Sequence, residues 1–366
     1  MRWQSNGSLH RILRWIWIYF LYWSGLIRWA RWRIESSSGI VTLTFHRVLE
    51  DQDVSRSDSP PGMIVRRSTF ENLLRFLTSH CKVVSLGEAP SWGRSNGRIR
   101  VAITFDDAWK DTSDIAFPLT QKWQVPITIF VCPGHVGRLT PFWPEHVVRV
   151  WRVARQNPEV MKALESALLG AGLDAPREDW TESGQLEALL SQLKRLATPE
   201  LVSIVQKLVE LRQKDRSTAE NDGVDATMTW EDMAQIARRG AQLGSHTQSH
   251  RILTTIPATA SQFELAESKR SLEARLGRPC TLFAYPNGSW SPEVRALVAN
   301  EGYRLAFVNS PGVWHSETDP WLIPRVNLWE GSLTNASGKF SSIVFQYTTF
   351  WRAYRADSKK RRTPNC

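Results

Sequence analysis

The chain has 366 residues and is 42 % hydrophobic, enough to bury a large core in one domain with an insertion or in two smaller domains. Its net charge of +10 is confined to the ends: residues 1–33 hold six arginines and no acid, and residues 351–366 hold six Lys/Arg against Asp357, which leaves −1 for residues 34–350. A body so close to neutral argues against a nucleic-acid partner, whereas basic ends suit an anionic surface; the four cysteines (Cys81, Cys132, Cys280, Cys366) have no metal or redox spacing and fix no compartment.

Residues 15–27, WIWIYFLYWSGLI, are uncharged and apolar, with Arg14 before them and Arg28, Arg31 and Arg33 behind. The run is shorter than the roughly 20 residues a spanning helix needs, and no small-x-small cleavage site follows. Six of the eighteen tryptophans lie in residues 1–33. Tryptophan and arginine together favour the headgroup region of a bilayer. Residues 1–33 are therefore expected to form a hydrophobic anchor helix at a membrane interface, with an uncleaved short span or a buried core helix as alternatives. The expected protein is membrane-associated, on a side the sequence leaves open.

After a linker-like IESSSG (34–39), strand-like runs alternate with helical ones. The candidate strands are IVTLTFH (40–46), KVVSL (82–86), IRVAITF (99–105), PITIFVC (126–132), AQLGS (241–245), TLFAY (281–285), LAFVN (305–309) and WLIPRVNL (321–328). Between them, residues 68–80 open on Ser68 with Glu71 three residues on, a capping-box pattern. Helices are also expected at 229–240, at 261–277 closed by Gly277, and at 291–302 with Ser291 as N-cap and Pro292 in the first turn. Residues 144–227 contain helical pieces but no convincing strand, and DRSTAENDGVDA (215–226) looks disordered. They read as a helical insertion within a single domain spanning 34–350, followed by a basic tail, 351–366. Strand–helix alternation implies a parallel sheet, and about eight strands favour a barrel over an open sheet.

In such architectures functional groups gather at the C-terminal ends of strands. ITFDDAWKD (103–111) puts Asp106 and Asp107 side by side at a strand end, where a cation would relieve their repulsion; the alternative is an Asp N-cap. His246 follows AQLGS, and His250 lies four residues on. A chain with eight histidines has roughly 0.2 such pairs by chance, so the pair gains weight only with a third ligand. Asp107, His246 and His250 would give a two-nitrogen, one-oxygen site suited to zinc or a similar divalent ion such as cobalt or nickel, with Asp106 free to accept a proton from water.

TFDD (104–107), HTQSH (246–250) and FAYPNG (283–288), in that order, resemble the three motifs of the polysaccharide deacetylases, the NodB-homology or carbohydrate esterase family 4 group. FAYPNG is similar to the branch acting on poly-N-acetylglucosamine-type polymers. The resemblance covers roughly residues 40–328 apart from the insertion. It implies a distorted (β/α)7–8 barrel and metal-dependent removal of acetyl groups, usually N-acetyl, from a glycan. Carried over by position, it makes Asp107, His246 and His250 the metal ligands and Asp106 the general base, and it places Tyr285, Pro286, Asn287 and Gly288 in the wall around the oxyanion.

Departures accompany the resemblance. The family commonly has glycine after the aspartate pair, where this chain has Ala108, and its third motif often carries an arginine that orients the base, where this chain has Ala284. The late Leu-x-x-His that supplies a general acid is not evident; LTSH (77–80) precedes the first motif and reads as structural. His315 falls late enough to be the acid, His46 in TFHRVLED is expected to line the pocket, and Arg325 is expected to hold substrate or an acid; His135 reads as a loop residue. An O-acetyl esterase and a catalytically silent glycan-binding or assembly protein are the alternatives, the second disfavoured by the spare carboxylate of Asp106.

Overall fold

The computed structural model describes residues 8–87, 97–139, 142–175, 182–196, 198–213 and 223–362. Among the described residues there are ten strands: β1 (Ile40–Phe45), β2 (Arg47–Leu49), β3 (Ile64–Arg66), β4 (Cys81–Val83), β5 (Ile99–Phe105), β6 (Thr128–Val131), β7 (Gln242–Ser245), β8 (Leu282–Ala284), β9 (Leu305–Val308) and β10 (Ile323–Asn327). β1 lies between β10 and β5, so the order β1-β10-β9-β8-β7-β6-β5 closes on itself into a seven-stranded, all-parallel barrel. β4 pairs with the first residues of β5. The eight expected strands are all present, each within a few residues of its expected bounds. The short parallel pair β2–β3 was not anticipated, because three-residue runs carry no periodicity.

Alternation along the strands divides two cores. Val41, Leu43, Phe45, Val101, Ile103 and Phe105 face outward against the helices, while Ile40, Ala102 and Ile323 face the barrel axis with Phe130, Ala284, Phe307 and Trp314. Continued towards the strand C-termini, the inward set turns polar: Thr42 and Thr44 on β1, Thr104 on β5, Arg325 on β10. Gly244 on β7 has no room for a side chain, since a Cβ there would meet Phe130 at 2.7 Å and the Leu282 carbonyl at 2.9 Å.

Among the described residues, four helices, Trp143–Gln156, Pro158–Leu169, Glu182–Leu193 and Thr198–Gln213, stand between β6 and the helix Trp230–Arg238 that leads into β7, with their own apolar core around Trp151, Leu164, Leu193 and Leu208. Of the expected disordered stretch, 215–222 lie outside the described residues. Two expectations fail locally. Ser68 does not cap its helix: the helix starts at Arg67 with Arg66 as N-cap, so Ser68 already lies in the first turn and bonds the Asp51 carboxylate, while Glu71 pairs with Lys122. The expected linker begins inside the helix Leu26–Ser36, because Ile34 is drawn into the core. That helix and Ser8–Trp23 form an N-terminal pair resting on the C-terminal helices; no described helix is long and apolar enough to cross a membrane.

Candidate metal centre

Asp106 and Asp107 follow β5 directly. Strict alternation would send their side chains to opposite faces of the sheet. The backbone instead enters the left-handed region at Asp107 (φ 73°) and Ala108 (φ 54°), which turns both carboxylates to the barrel mouth. Two consecutive non-glycine residues in that region cost on the order of 1–2 kcal/mol each, strain of the kind stored at functional sites. The glycine usual after the aspartate pair in the resembled family would relieve half of it.

His246 continues the inward face of β7. Its Nδ1 donates to the Ala284 carbonyl at 2.7 Å, which fixes the tautomer and leaves the Nε2 lone pair facing Asp107 Oδ1 at 3.7 Å. His250, also left-handed (φ 59°), brings its Nε2 to 3.3 Å from the same oxygen. One ligand atom from each of Asp107, His246 and His250 lies within 4.8 Å of the others. Burial pushes His246 down to about 4 and His250 down to about 3, so both imidazoles are neutral at physiological pH. Asp107 Oδ1 is buried and has no hydrogen-bond partner, while Oδ2 accepts from Trp109 Nε1 at 3.3 Å. Two neutral imidazole nitrogens and an orphaned carboxylate oxygen, all convergent, fit a divalent cation and little else.

The histidine loop is held from behind. Glu264, buried on the helix Ala258–Leu276, accepts from Ser249 N at 2.8 Å and Ser249 Oγ at 2.5 Å. Gly134 N donates to Gln248 O at 2.8 Å, and a Cβ on Gly134 would sit 2.6 Å from that oxygen. Phe142, at the root of the helical insertion, meets the His250 ring edge-on at 5.1 Å and also packs on Trp109. His135 stacks on Phe142 and its Nε2 lies 3.2 Å from Ser249 O; it supports the loop and is not in the ligand cluster.

Of the two expected roles of Arg325, holding substrate or an acid, its geometry fits the second. It points inward from β10, buried, and clamps Asp106 with NH1–Oδ1 at 2.7 Å and NH2–Oδ2 at 2.8 Å. Burial opposes ionisation of Asp106, but the Arg325 charge, supported by its hydrogen bonds, outweighs it and holds the carboxyl well below the usual range. The arginine missing at Ala284 is thus replaced from the next-but-one strand, since Thr42 pairs with Arg325 and with Ala102 in register.

His315 is not placed to act as an acid. It follows Trp314, which pairs with Ile40 at the opening of β1, and its ring lies against Gly39. Its Nε2 is 3.3 Å from Asp357 Oδ2. The ligands gather at the other end of the strands, about 17 Å away along β1. His46, by contrast, lies at the ligand end of the barrel. It follows β1 as Asp106 follows β5, Phe45 and Phe105 are register partners, and Asp106 N donates to Phe45 O at 2.9 Å. Its Nδ1 is buried without a partner.

The FAYPNG segment contributes less than expected. Tyr285 faces the outer core, its hydroxyl on Trp321 O at 3.1 Å, and its amide is spent on Phe307 O. Gly288 N donates to Tyr285 O, so neither amide is available to an oxyanion. Pro286 is buried and has no N–H; Asn287 is exposed at φ 57°. Sequence reasoning missed Asn327, whose buried Oδ1 is unpartnered at the end of β10 and whose register partner is Thr44. Only its inward phase with Arg325 could have signalled it.

A buried ionic network backs the site. Arg47 stacks on Trp109 at 4.2 Å and bonds Asp111 at 2.6 Å and Asp225 at 2.7 Å, while Asp58 bonds Arg149 and Arg152. Glu145 is fully buried beside them, accepting from Ser59 Oγ at 3.1 Å, and burial followed by the charge of Asp225 pushes it up to about 8. With Glu145 protonated, three arginines face three aspartates.

The family model of the polysaccharide deacetylases matches residues 187–306, a span that holds His246, His250 and FAYPNG but not the aspartate pair. YxkH of Bacillus subtilis (strain 168), named as a candidate polysaccharide deacetylase, is 26 % identical over 113 residues, 31 % of this chain and 40 % of that protein. The chain therefore matches well under half of that relative's length. Among solved structures, the deacetylase PplD of Streptococcus pyogenes in complex with acetate aligns at TM-score 0.50 and 15 % identity, covering 80 % of this chain and 94 % of that one. IcaB of Ammonifex degensii aligns at 0.50 and 19 % identity, covering 80 % and 93 %. The sequence matches support the polysaccharide deacetylase family, and the structural ones support a (β/α)7 barrel of the kind found in deacetylases.

Proposed function

We propose that this protein is a metal-dependent hydrolase that removes acetyl groups, N-acetyl first, from an acetylated glycan. The reading rests on one observation: three convergent donors with an orphaned carboxylate oxygen stand beside a second carboxylate that a buried arginine keeps ionised. A divalent ion on Asp107, His246 and His250, with zinc favoured by the donor set, would supply charge stabilisation at the acetyl carbonyl oxygen and would lower the pKa of water. Asp106 accepts the proton of the attacking water, and Arg325 aims its carboxylate and keeps it ionised without touching substrate. Water oxygen bonds to the carbonyl carbon, the carbon–nitrogen bond breaks, and acetate and the free amine leave. His46, beside Asp106 at the strand mouth, is the group placed to protonate the departing nitrogen. A cage kept only for binding would have no use for a clamped, ionised Asp106.

Acetate release from N-acetylated chitooligosaccharides and from O-acetylated glycans tests the reading, with protein stripped by chelator and reloaded with zinc, cobalt or nickel. Release from N-acetyl substrates that is lost on stripping, restored on reloading and abolished in Asp106→Asn is expected. Release indifferent to the chelator or to Asp106→Asn, or no release from any acetylated glycan, refutes it; preference for O-acetyl substrates would make the protein an esterase.

A further inference from the structure

The helix Ser8–Trp23 is apolar on two opposite faces, yet the protein covers only one. Ile18 and Leu21 are buried, Leu21 packing with Ile27, Ala30 and Trp351. On the other side Ile12, Ile16, Phe20 and Trp23, spaced i, i+4, i+8 and i+11, are 54, 59, 55 and 78 % exposed. Trp29 and Trp32 of the neighbouring helix Leu26–Ser36 are also about half exposed, at 44 and 55 %. A continuous apolar stripe at helical spacing differs from the isolated exposed side chains of an ordinary surface.

Charge says what covers it. Arg28 and Arg33 of the second helix and Arg352 and Arg355 of the C-terminal helix are exposed, and the single acid in residues 1–36 is Glu35, in the last turn of the second helix. Of the nearby acids, Asp357 faces His315. Trp17, Tyr347, Trp351, Arg352 and Arg355 line a groove of about 320 Å³, with the Arg355 guanidinium 5.8 Å from the Trp351 ring centre. Apolar stripe, half-exposed tryptophans and guanidinium groups are the three parts of an interfacial lipid-binding surface, and here they come from both ends of the chain. At 16 residues the first helix is about 24 Å long, below the roughly 30 Å of a hydrocarbon core, so it suits lying in the interface. A second copy of this chain would bring the same positive charge to the contact, which disfavours self-pairing.

We propose that the N-terminal helix pair and the C-terminal helix together form one docking surface for an anionic phospholipid bilayer, with lipid phosphates at Arg352 and Arg355 and the Ile12–Trp23 stripe sunk to the headgroup boundary. The proposal is independent of the hydrolase reading.

Vesicle flotation of the full chain tests it, using phosphatidylcholine vesicles with and without phosphatidylglycerol. Binding to the anionic vesicles about tenfold or more tighter than to the neutral ones, weakening as salt rises, is expected. The double variant Arg352→Glu, Arg355→Glu should lose that preference while keeping an unchanged circular-dichroism melt. Phe20→Asp should weaken binding to both vesicle types about tenfold or more. Should Phe20→Asp fail to fold, the arginine pair still decides. Equal affinity for the two vesicle types, no binding to either, an unchanged preference in the arginine variant, or a lipid-free dimer that light scattering shows Phe20→Asp to dissolve would overturn the proposal.

Discussion

Replacing Arg325 separates two roles that sequence alone confuses. If Arg325 held substrate, Arg325→Gln would raise KM. The structure instead puts it below the mouth, buried, with both terminal nitrogens on Asp106 at 2.7 and 2.8 Å and its guanidinium 5.4 Å from the Phe130 ring centre. Removing one partner of a buried, doubly hydrogen-bonded pair leaves an uncompensated charge and costs about 3–5 kcal/mol of stability. Asp106→Asn strands the arginine in the same way and should cost a similar amount. The double variant Asp106→Asn, Arg325→Gln removes both charges at nearly constant shape, so it should be more stable than either single variant, with a coupling of about 2 kcal/mol or more. Urea denaturation of the four proteins, with metal present throughout, measures this. In acetate release, Arg325→Gln should lower kcat on the order of 10²-fold with KM little changed, because a misaimed base loses part of the 10²–10⁴-fold a positioned base supplies. A KM increase at preserved kcat, or a double variant less stable than both singles, would refute the assignment.

Asp106→Asn should lower kcat by about 10²–10⁴-fold while zinc affinity, measured by competition with a chromophoric chelator, stays within a few fold, since Asp106 is not among the convergent donors. His246→Ala should abolish the rise in melting temperature on adding zinc, a shift governed by metal concentration over its dissociation constant. His315→Ala should leave kcat and KM unchanged, and His46→Ala should lower kcat; the opposite pattern would return the acid role to His315. Burial pushes Glu145 up to about 8, so the folded form binds the extra proton: this group's stabilisation is complete below pH about 4.5, falls as pH rises towards 8 and is flat above, a change on the order of a few kcal/mol. Glu145→Gln should flatten that slope in melting temperature against pH; an unchanged slope would place the proton elsewhere.

Elements long enough to show a period were legible. IRVAITF became β5 residue for residue, and Ser291, Pro292 and Gly277 punctuate their helices as their chemistry requires, Ser291 capping Val294 N and Gly277 sitting at φ 65°. The donors could be read too, because each stands at a strand end and the residue types suit one ion. What could not be read depends on which face a side chain takes and which end of a strand it occupies. His315 and Arg325 both lie in the last sixty residues, yet His315 sits at the opening end of β1 and Arg325 two residues into β10, phased inward. Sequence order carries neither fact; the strand register does.

The same register explains why the base-orienting arginine can stand on β10. In a closed seven-stranded barrel β1 touches both β5 and β10, so inward residues on those two strands are separated only by the intervening β1. Thr42 is paired with Ala102 on one side and Arg325 on the other, and a side chain as long as arginine spans from that level up to Asp106, grazing Thr104 Oγ1 at 3.3 Å on the way. In an open sheet with β1 and β5 unpaired, Arg325 and Asp106 would lie at opposite edges and the clamp could not form. The ion pair of Arg325 with Asp106 is therefore a consequence of barrel closure, and its loss in Arg325→Gln should be felt at the β1–β5 seam. Hydrogen exchange of the β1 and β5 amides, Asp106 N among them, should speed up in that variant more than exchange of the β7 and β8 amides; uniform acceleration around the barrel would mean that the clamp serves the carboxylate alone.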